Sequence, residues 1–221
     1  MDTKKTTTLD LRNTELTNNH LTLSQSLRSI QLSNCQLTSF PDDLRNCFDL
    51  HNLNLSHNQI QQIPSETIAR LQKLKYLSIN NNELSTFPYE ASSCVCLEEL
   101  YIQGNNLSGA WPLPELFKLQ KLNISNNSIT TLYTKRMYPN LKNLNASNNA
   151  ITTVPLHIGE LETAILSSNR IDSLPIAAWS DGNENVQSHK KCQLKKLLVD
   201  DNLLKDSDLT SKITSLLICD V

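Results

Sequence analysis

Glycine is scarce in this chain. Only Gly104, Gly109, Gly159 and Gly182 occur in 221 residues. They build neither G-x-x-x-x-G-K-S/T nor G-x-G-x-x-G, so the sequence holds no phosphate-cradling loop. The five histidines, His20, His51, His57, His157 and His189, fall into no H-E-x-x-H or H-x-E…C-x-x-C arrangement. Two adjacent acidic pairs, Glu98 with Glu99 and Asp200 with Asp201, sit on strand-like segments where neighbouring side chains diverge, which excludes them as acid/base pairs. A charge of one sign is missing too. Twenty basic residues face 22 acidic ones for a net charge of −2, with no long run of either. Generic binding to a nucleic-acid backbone needs clustered Lys and Arg, so nucleic acid is not an expected partner. No apolar run approaches the roughly 18 residues of a membrane-crossing helix. The opening MDTKKTTTLDL lacks the apolar stretch of a secretory signal, and Asp2 excludes N-myristoylation.

What the sequence has instead is one phrase, repeated. LHNLNLSHNQI at 50–60 returns as LKYLSINNNEL (74–84), LEELYIQGNNL (97–107), LQKLNISNNSI (119–129), LKNLNASNNAI (141–151) and LETAILSSNRI (161–171). LRSIQLSNCQL (27–37) precedes them and LKKLLVDDNLL (194–204) follows. The eight copies of L-x-x-L-x-L-x-x-N/C-x-L are spaced by 20 to 24 residues except for the last interval. That pattern is the leucine-rich repeat. Its cause is mechanical. In Leu53, Asn54, Leu55 the period of two sends leucines to one face of a short strand and Asn54 to the other. Asn58 follows where the chain turns, and its amide can donate to and accept from backbone groups there. A single copy cannot bury its own leucines, so stacked copies share one ladder and one core. The expected fold is an α/β leucine-rich repeat solenoid, a horseshoe with a parallel concave β-sheet and short helical or 3₁₀ convex segments.

Three regions follow from the register. Residues 1–26 make a degenerate N-terminal capping turn, in which Leu9, Leu11 and Leu16 fit leucine columns but Thr6 and Thr14 replace leucine and asparagine. Residues 27–204 are the array, with an insertion at 180–191. Residues 205–221 are a partial repeat that stops where the asparagine is due. Its exposed end admits three readings: an adequate cap, a shortened chain, or a surface that pairs with another protein or as a weak dimer. Return segments open on Pro41, Pro64, Pro88, Pro112, Pro155 and Pro175, each after an apolar residue, and proline suits the start of a helical or 3₁₀ turn. PSETIARLQK at 64–73 is the best helix, with Ile68 and Leu71 facing inward. Trp111 fills the core or its convex rim, or else contacts a partner. The polar insertion SDGNENVQSHKK lengthens the seventh repeat to 33 residues and is a solvated surface loop or a dedicated contact.

The six cysteines fit a reduced protein. Cys47 and Cys94 lie three residues before a first leucine, in the column of Leu71, Leu116, Tyr138 and Ile158, and are read as small core residues. Two repeats separate them, too far for a disulfide. Cys35 stands in the asparagine column. Cys94 with Cys96, and His189 with Cys192, lack the second half of a zinc site. Five N-x-S sequons, at Asn54, Asn106, Asn123, Asn126 and Asn145, arise from the repeat wording itself.

Alternation turns the third, fifth and seventh residues of each copy outward. The third column contains Tyr76, Glu99 and Lys121, and the fifth contains Tyr101, Ile165 and Leu198. Tyr76 and Tyr101 with Glu99 and Lys121 are the first candidate contact, because tyrosine offers large area, little entropy cost and a polar tip. Ile165 and Leu198, apolar in a polar column, are the second. The simpler reading is that each is one tolerated surface residue.

The phrases LSHNQIQQIP (55–64) and VPLHIGELE (154–162) give the chain a resemblance to small intracellular leucine-rich repeat proteins, with Ras-pathway repeat scaffolds as broader relatives. KITSLLICDV (212–221) resembles a penultimate segment of that group. The resemblance implies a cytosolic or membrane-associated, non-catalytic protein. Asp2 stands where that group carries an acylated glycine. The expectation is a non-catalytic interaction module of the cytosol or nucleus, with a protein partner and neither cofactor nor metal. A secreted or cell-surface receptor ectodomain is the alternative, and an adaptor for a phosphatase or small GTPase differs only in its partner.

Overall fold

The computed structural model describes residues 6–16, 21–110, 114–132, 138–176 and 193–204. Trp111, the insertion at 180–191 and the closing segment 205–221 lie outside them. Eleven short strands are described: β1 (Thr8–Asp10), β2 (Ser29–Gln31), β3 (Asn52–Asn54), β4 (Tyr76–Ser78), β5 (Glu99–Tyr101), β6 (Ser108–Ala110), β7 (Lys121–Asn123), β8 (Ser128–Thr131), β9 (Asn143–Asn145), β10 (Thr163–Ile165) and β11 (Lys196–Leu198). Nine of them form one open parallel sheet in the order β1-β2-β3-β4-β5-β7-β9-β10-β11. Equivalent repeat positions are paired throughout, as in Tyr76 opposite Glu99 and Glu99 opposite Lys121.

Leucine spacing explains the core. Each of β2–β5, β7 and β9–β11 spans the third to fifth residues of a copy, and its central residue points inward. Leu53, Leu77 and Leu100 at that position, and Leu55, Ile79, Ile102, Ile124 and Leu166 at the sixth, have no exposed surface. Burying a side chain of this size contributes about 1.5–3 kcal/mol, so adjacent copies hold one another together chiefly by this packing. The column three residues before each first leucine is buried as expected, at Cys47, Leu71, Cys94, Leu116, Tyr138 and Ile158.

The asparagine column supplies the turn. Asn105 Nδ2 donates to the carbonyls of Ile102 in its own copy and Ile79 in the copy before, at 3.0 and 3.1 Å. Its Oδ1 accepts from the Leu84 amide at 3.0 Å. Asn58, Asn82, Asn127, Asn149, Asn169 and Asn202 repeat this arrangement. The residue just before each asparagine is left-handed, with φ of 53–65° at His57, Asn81, Gly104, Asn126, Asn148, Ser168 and Asp201.

Two expectations about the return segments need correction. The 64–73 segment holds only a short helix, α1 (Ser65–Ile68), because the chain must turn to drop both Ile68 and Leu71 into the core. The Leu74 amide donates to Leu71 O at 3.0 Å in that turn. In the fourth and fifth copies the residues after the asparagine form strands β6 and β8, which pair in parallel. Ile129, Thr130 and Thr131 are β-branched and favour extended backbone over a helical turn. Elsewhere Pro41, Pro88 and Pro155 do precede 3₁₀ turns, at Asp42–Asn46, Tyr89–Ser93 and Leu156–Glu160.

Candidate functional site

The outward face of the nine-stranded sheet is the concave surface, and the third and fifth columns lie on it. The seventh column lies beside them. The Ser56, Ser125 and Ser147 hydroxyls donate to the fifth-column Asn54, Asn123 and Asn145, and Ser78 donates to Asn80, so seventh-residue side chains share that face. Ser56, Asn80 and Ser125 are covered there by their neighbours, whereas Asp200 is exposed.

Tyr76, Glu99, Tyr101 and Lys121 form one cluster near the middle of the sheet. The two tyrosine rings lie 5.4 Å apart between centroids and are tilted by 42°. Tyr101 Oη donates to Glu99 Oε2 at 2.8 Å, and Lys121 Nζ donates to Glu99 Oε1 at 3.0 Å. Burial alone would raise the Glu99 carboxyl, but the bonds from Lys121 and Tyr101 outweigh it and hold the group below its ordinary value. Partial burial, then the bond to Glu99 and its charge, push the Tyr101 phenol up to about 12. The Glu99–Lys121 pair is well exposed and contributes little stability. Its effect is to orient the charges, leaving a fixed aromatic platform with one anion and one cation beside it.

Ile165 and Leu198 are opposite one another on β10 and β11. Both are half-buried. They do not join the tyrosine cluster: β7 and β9 stand between β5 and β10. Those two strands carry Asn123 and Asn145, which the fifth column places on the outward face. The two are paired across β7 and β9, and each accepts a bond from the serine two residues on. The N-x-S recurring at this column is the sequence signal of that bond.

Among the described residues, no group of His, Cys, Asp and Glu is placed to hold a metal ion. No described helix is long and apolar enough to cross a membrane. The four described cysteines, Cys35, Cys47, Cys94 and Cys96, are unpaired. Burial first, then Asp43 beside Cys47 and Cys96 beside Cys94, push the thiols of Cys47 and Cys94 up to about 11 and about 12.

Leucine-rich repeat family models match residues 48–107, 26–47 and 118–134. A comparison with curated protein sequences finds no significant match. Among solved structures, a leucine-rich repeat protein of Leptospira interrogans is 27% identical with a TM-score of 0.76, over 95% of this chain and 58% of its own. The internalin InlF of Listeria monocytogenes has the same TM-score of 0.76 and the same coverage, 95% and 58%, at 23% identity, a likeness of fold alone. A plant peptide hormone receptor, RGFR1, solved in complex with RGF2, is 27% identical with a TM-score of 0.66, over 81% of this chain and 29% of its own. The chain thus spans a little over half the length of the first two. Family models, structural likeness and the asparagine-lined parallel sheet agree: the chain is built of leucine-rich repeats in the leucine-rich repeat fold.

Proposed function

We propose that this chain is a non-catalytic protein-interaction module that binds its partner on the concave face, with Tyr76, Glu99, Tyr101 and Lys121 at the centre. Leucine-rich repeat domains are in general protein-interaction modules, and the tyrosine pair is the observation that carries the reading further. Its rings are packed together, and Glu99 holds the Tyr101 hydroxyl before any partner arrives, so little side-chain entropy remains to be lost on binding. Unpaired cysteines support a reducing compartment, the cytosol or nucleus. The test is capture of partners by the native protein and by Tyr76→Ala/Tyr101→Ala, with identification by mass spectrometry and circular dichroism to show that the variant folds. Partners lost from the folded variant support the site, and full retention rules it out.

A receptor ectodomain is the second reading, favoured by the likeness to a plant receptor solved with its hormone. Blocked thiols or occupied sequons on the native protein would support it, and six free thiols would exclude it.

A further inference from the structure

Three asparagines of the fifth column differ from free surface amides. At Asn54, Asn123 and Asn145 the backbone N–H two residues on reaches Oδ1 at 3.0, 3.1 and 3.1 Å. The serine hydroxyls of Ser56, Ser125 and Ser147 reach the same oxygens at 2.7, 2.8 and 2.8 Å. A backbone N–H can only donate, so the atom it faces is the amide oxygen and the amide cannot flip. Each NH₂ is thereby left as a pure donor on the concave face. Asn54 uses it on Gln31 Oε1 at 3.0 Å. Asn123 and Asn145, side by side on β7 and β9, have no acceptor for theirs among the described residues.

The surroundings share that polarity. From β7 to β11 the third and fifth columns add Lys121 and Lys196 and no carboxylate. Glu99 is paired with Lys121, so those two charges offset each other, and Glu162 is paired with Lys142 and Lys195. Asp200 and Asp201, at the β11 end, accept only long bonds from the Ser167 and Ser168 hydroxyls, at 3.5 and 3.4 Å, and keep their charge there, which places the acidic residue of a ligand toward β7 and β9. Ile165 and Leu198 lie at the far end of the same patch.

We propose that the concave face from β7 to β11 binds an extended acidic peptide segment of a partner protein. A carboxylate is taken by the Asn123 and Asn145 amides with Lys121, and an aliphatic side chain seats on Ile165 and Leu198. The midpoint of β7 and β9 is two strand spacings from that of β10 and β11, about 10 Å. An extended chain crossing the strands covers this in roughly three residues, which sets the spacing between the acidic residue and its anchor. The proposal rests on the concave face being the binding surface.

A displayed library of random short peptides, selected on the native protein, tests it. Selected sequences are expected to carry Asp or Glu about three residues from Leu, Ile or Val. Affinity for one selected peptide is then measured on Asn123→Asp/Asn145→Asp. This change keeps an oxygen for Ser125 and Ser147 but replaces each donor with a negatively charged acceptor, so thermal unfolding should stay near native and affinity should fall about tenfold or more. Lys121→Glu/Lys196→Glu, at exposed positions, should cause the same loss and guards against a folding defect in the first variant. Neutral or basic selected peptides, or affinity unmoved by both variants, overturn the proposal. Tyr76→Ala/Tyr101→Ala separates the two readings. If it weakens binding while the asparagine and lysine variants do not, or if no peptide is selected, only the acidic segment is wrong; if a selected peptide binds and no concave change moves its affinity, the concave reading falls as well.

Discussion

At the scale of single residues, hydrogen-bond direction decides what the surface offers. Glu99 accepts from both Tyr101 and Lys121, and the two shifts that follow have opposite signs. The Glu99 carboxyl is held low, so its contribution to stability is present above its unfolded value of 4.5 and is lost as pH falls through its folded value. Tyr101 is raised from 10.0 to about 12, so its contribution is complete below 10.0 and is lost as pH rises through about 12. Between these limits the cluster is intact. Glu99→Gln should move the Tyr101 titration down toward the ordinary tyrosine value, though not fully, since burial remains. Phenolate absorbance against pH measures this, and an unmoved midpoint would show that Glu99 does not govern the phenol. The column positions of these four residues were legible in the sequence because strands have a period of two. Their bonds were not, since those depend on which rotamers meet across strands. Gly104 shows the same divide: it stands in the left-handed column where other copies carry Asn, His, Ser or Asp, and a Cβ there would collide with Asn81 Oδ1.

At the scale of the repeat element, the asparagine joins neighbouring copies as well as bracing its own turn. Asn105 satisfies carbonyls in two copies and the Leu84 amide in the copy before it, all buried. Asn105→Ala leaves those groups unpaired and should cost about 3 kcal/mol, measured by urea unfolding, since each buried orphan costs about 1–3 kcal/mol. A loss below about 1 kcal/mol would mean that water replaces the amide. Cys35 does part of the same work in the first copy, where its thiol lies 3.1 Å from Leu11 O. The sequence pointed to a bond-forming turn residue at Asn58, and the register shows that the bonds cross between copies. Its reading of the return segments was coarser. Pro41, Pro88 and Pro155 marked turns correctly, whereas β6 and β8 were missed because apolar spacing over three or four residues cannot separate a turn from a strand.

At the scale of the molecule, strands in the main sheet bond only to their neighbours in the array. Stability should therefore accumulate from the ends toward the middle. Amide hydrogen exchange should be slowest in β3, β4 and β5 and faster in β1, which among the described residues pairs with β2 alone and whose Leu9 is only partly buried. Equal protection across these strands would instead indicate a single cooperative block.

Leucine and asparagine spacing alone determined the solenoid, its parallel sheet and the column to which each residue belongs, because a repeat that cannot bury its own core must stack in register. Only the tertiary structure decided which outward residues act together. It packed Tyr76 against Tyr101, set Ile165 and Leu198 apart from them, and laid the amide donors of Asn123 and Asn145 side by side. The physical reason is distance along the chain: these partners lie some twenty or more residues apart, and lateral stacking brings them to within a strand spacing of about 4.8 Å.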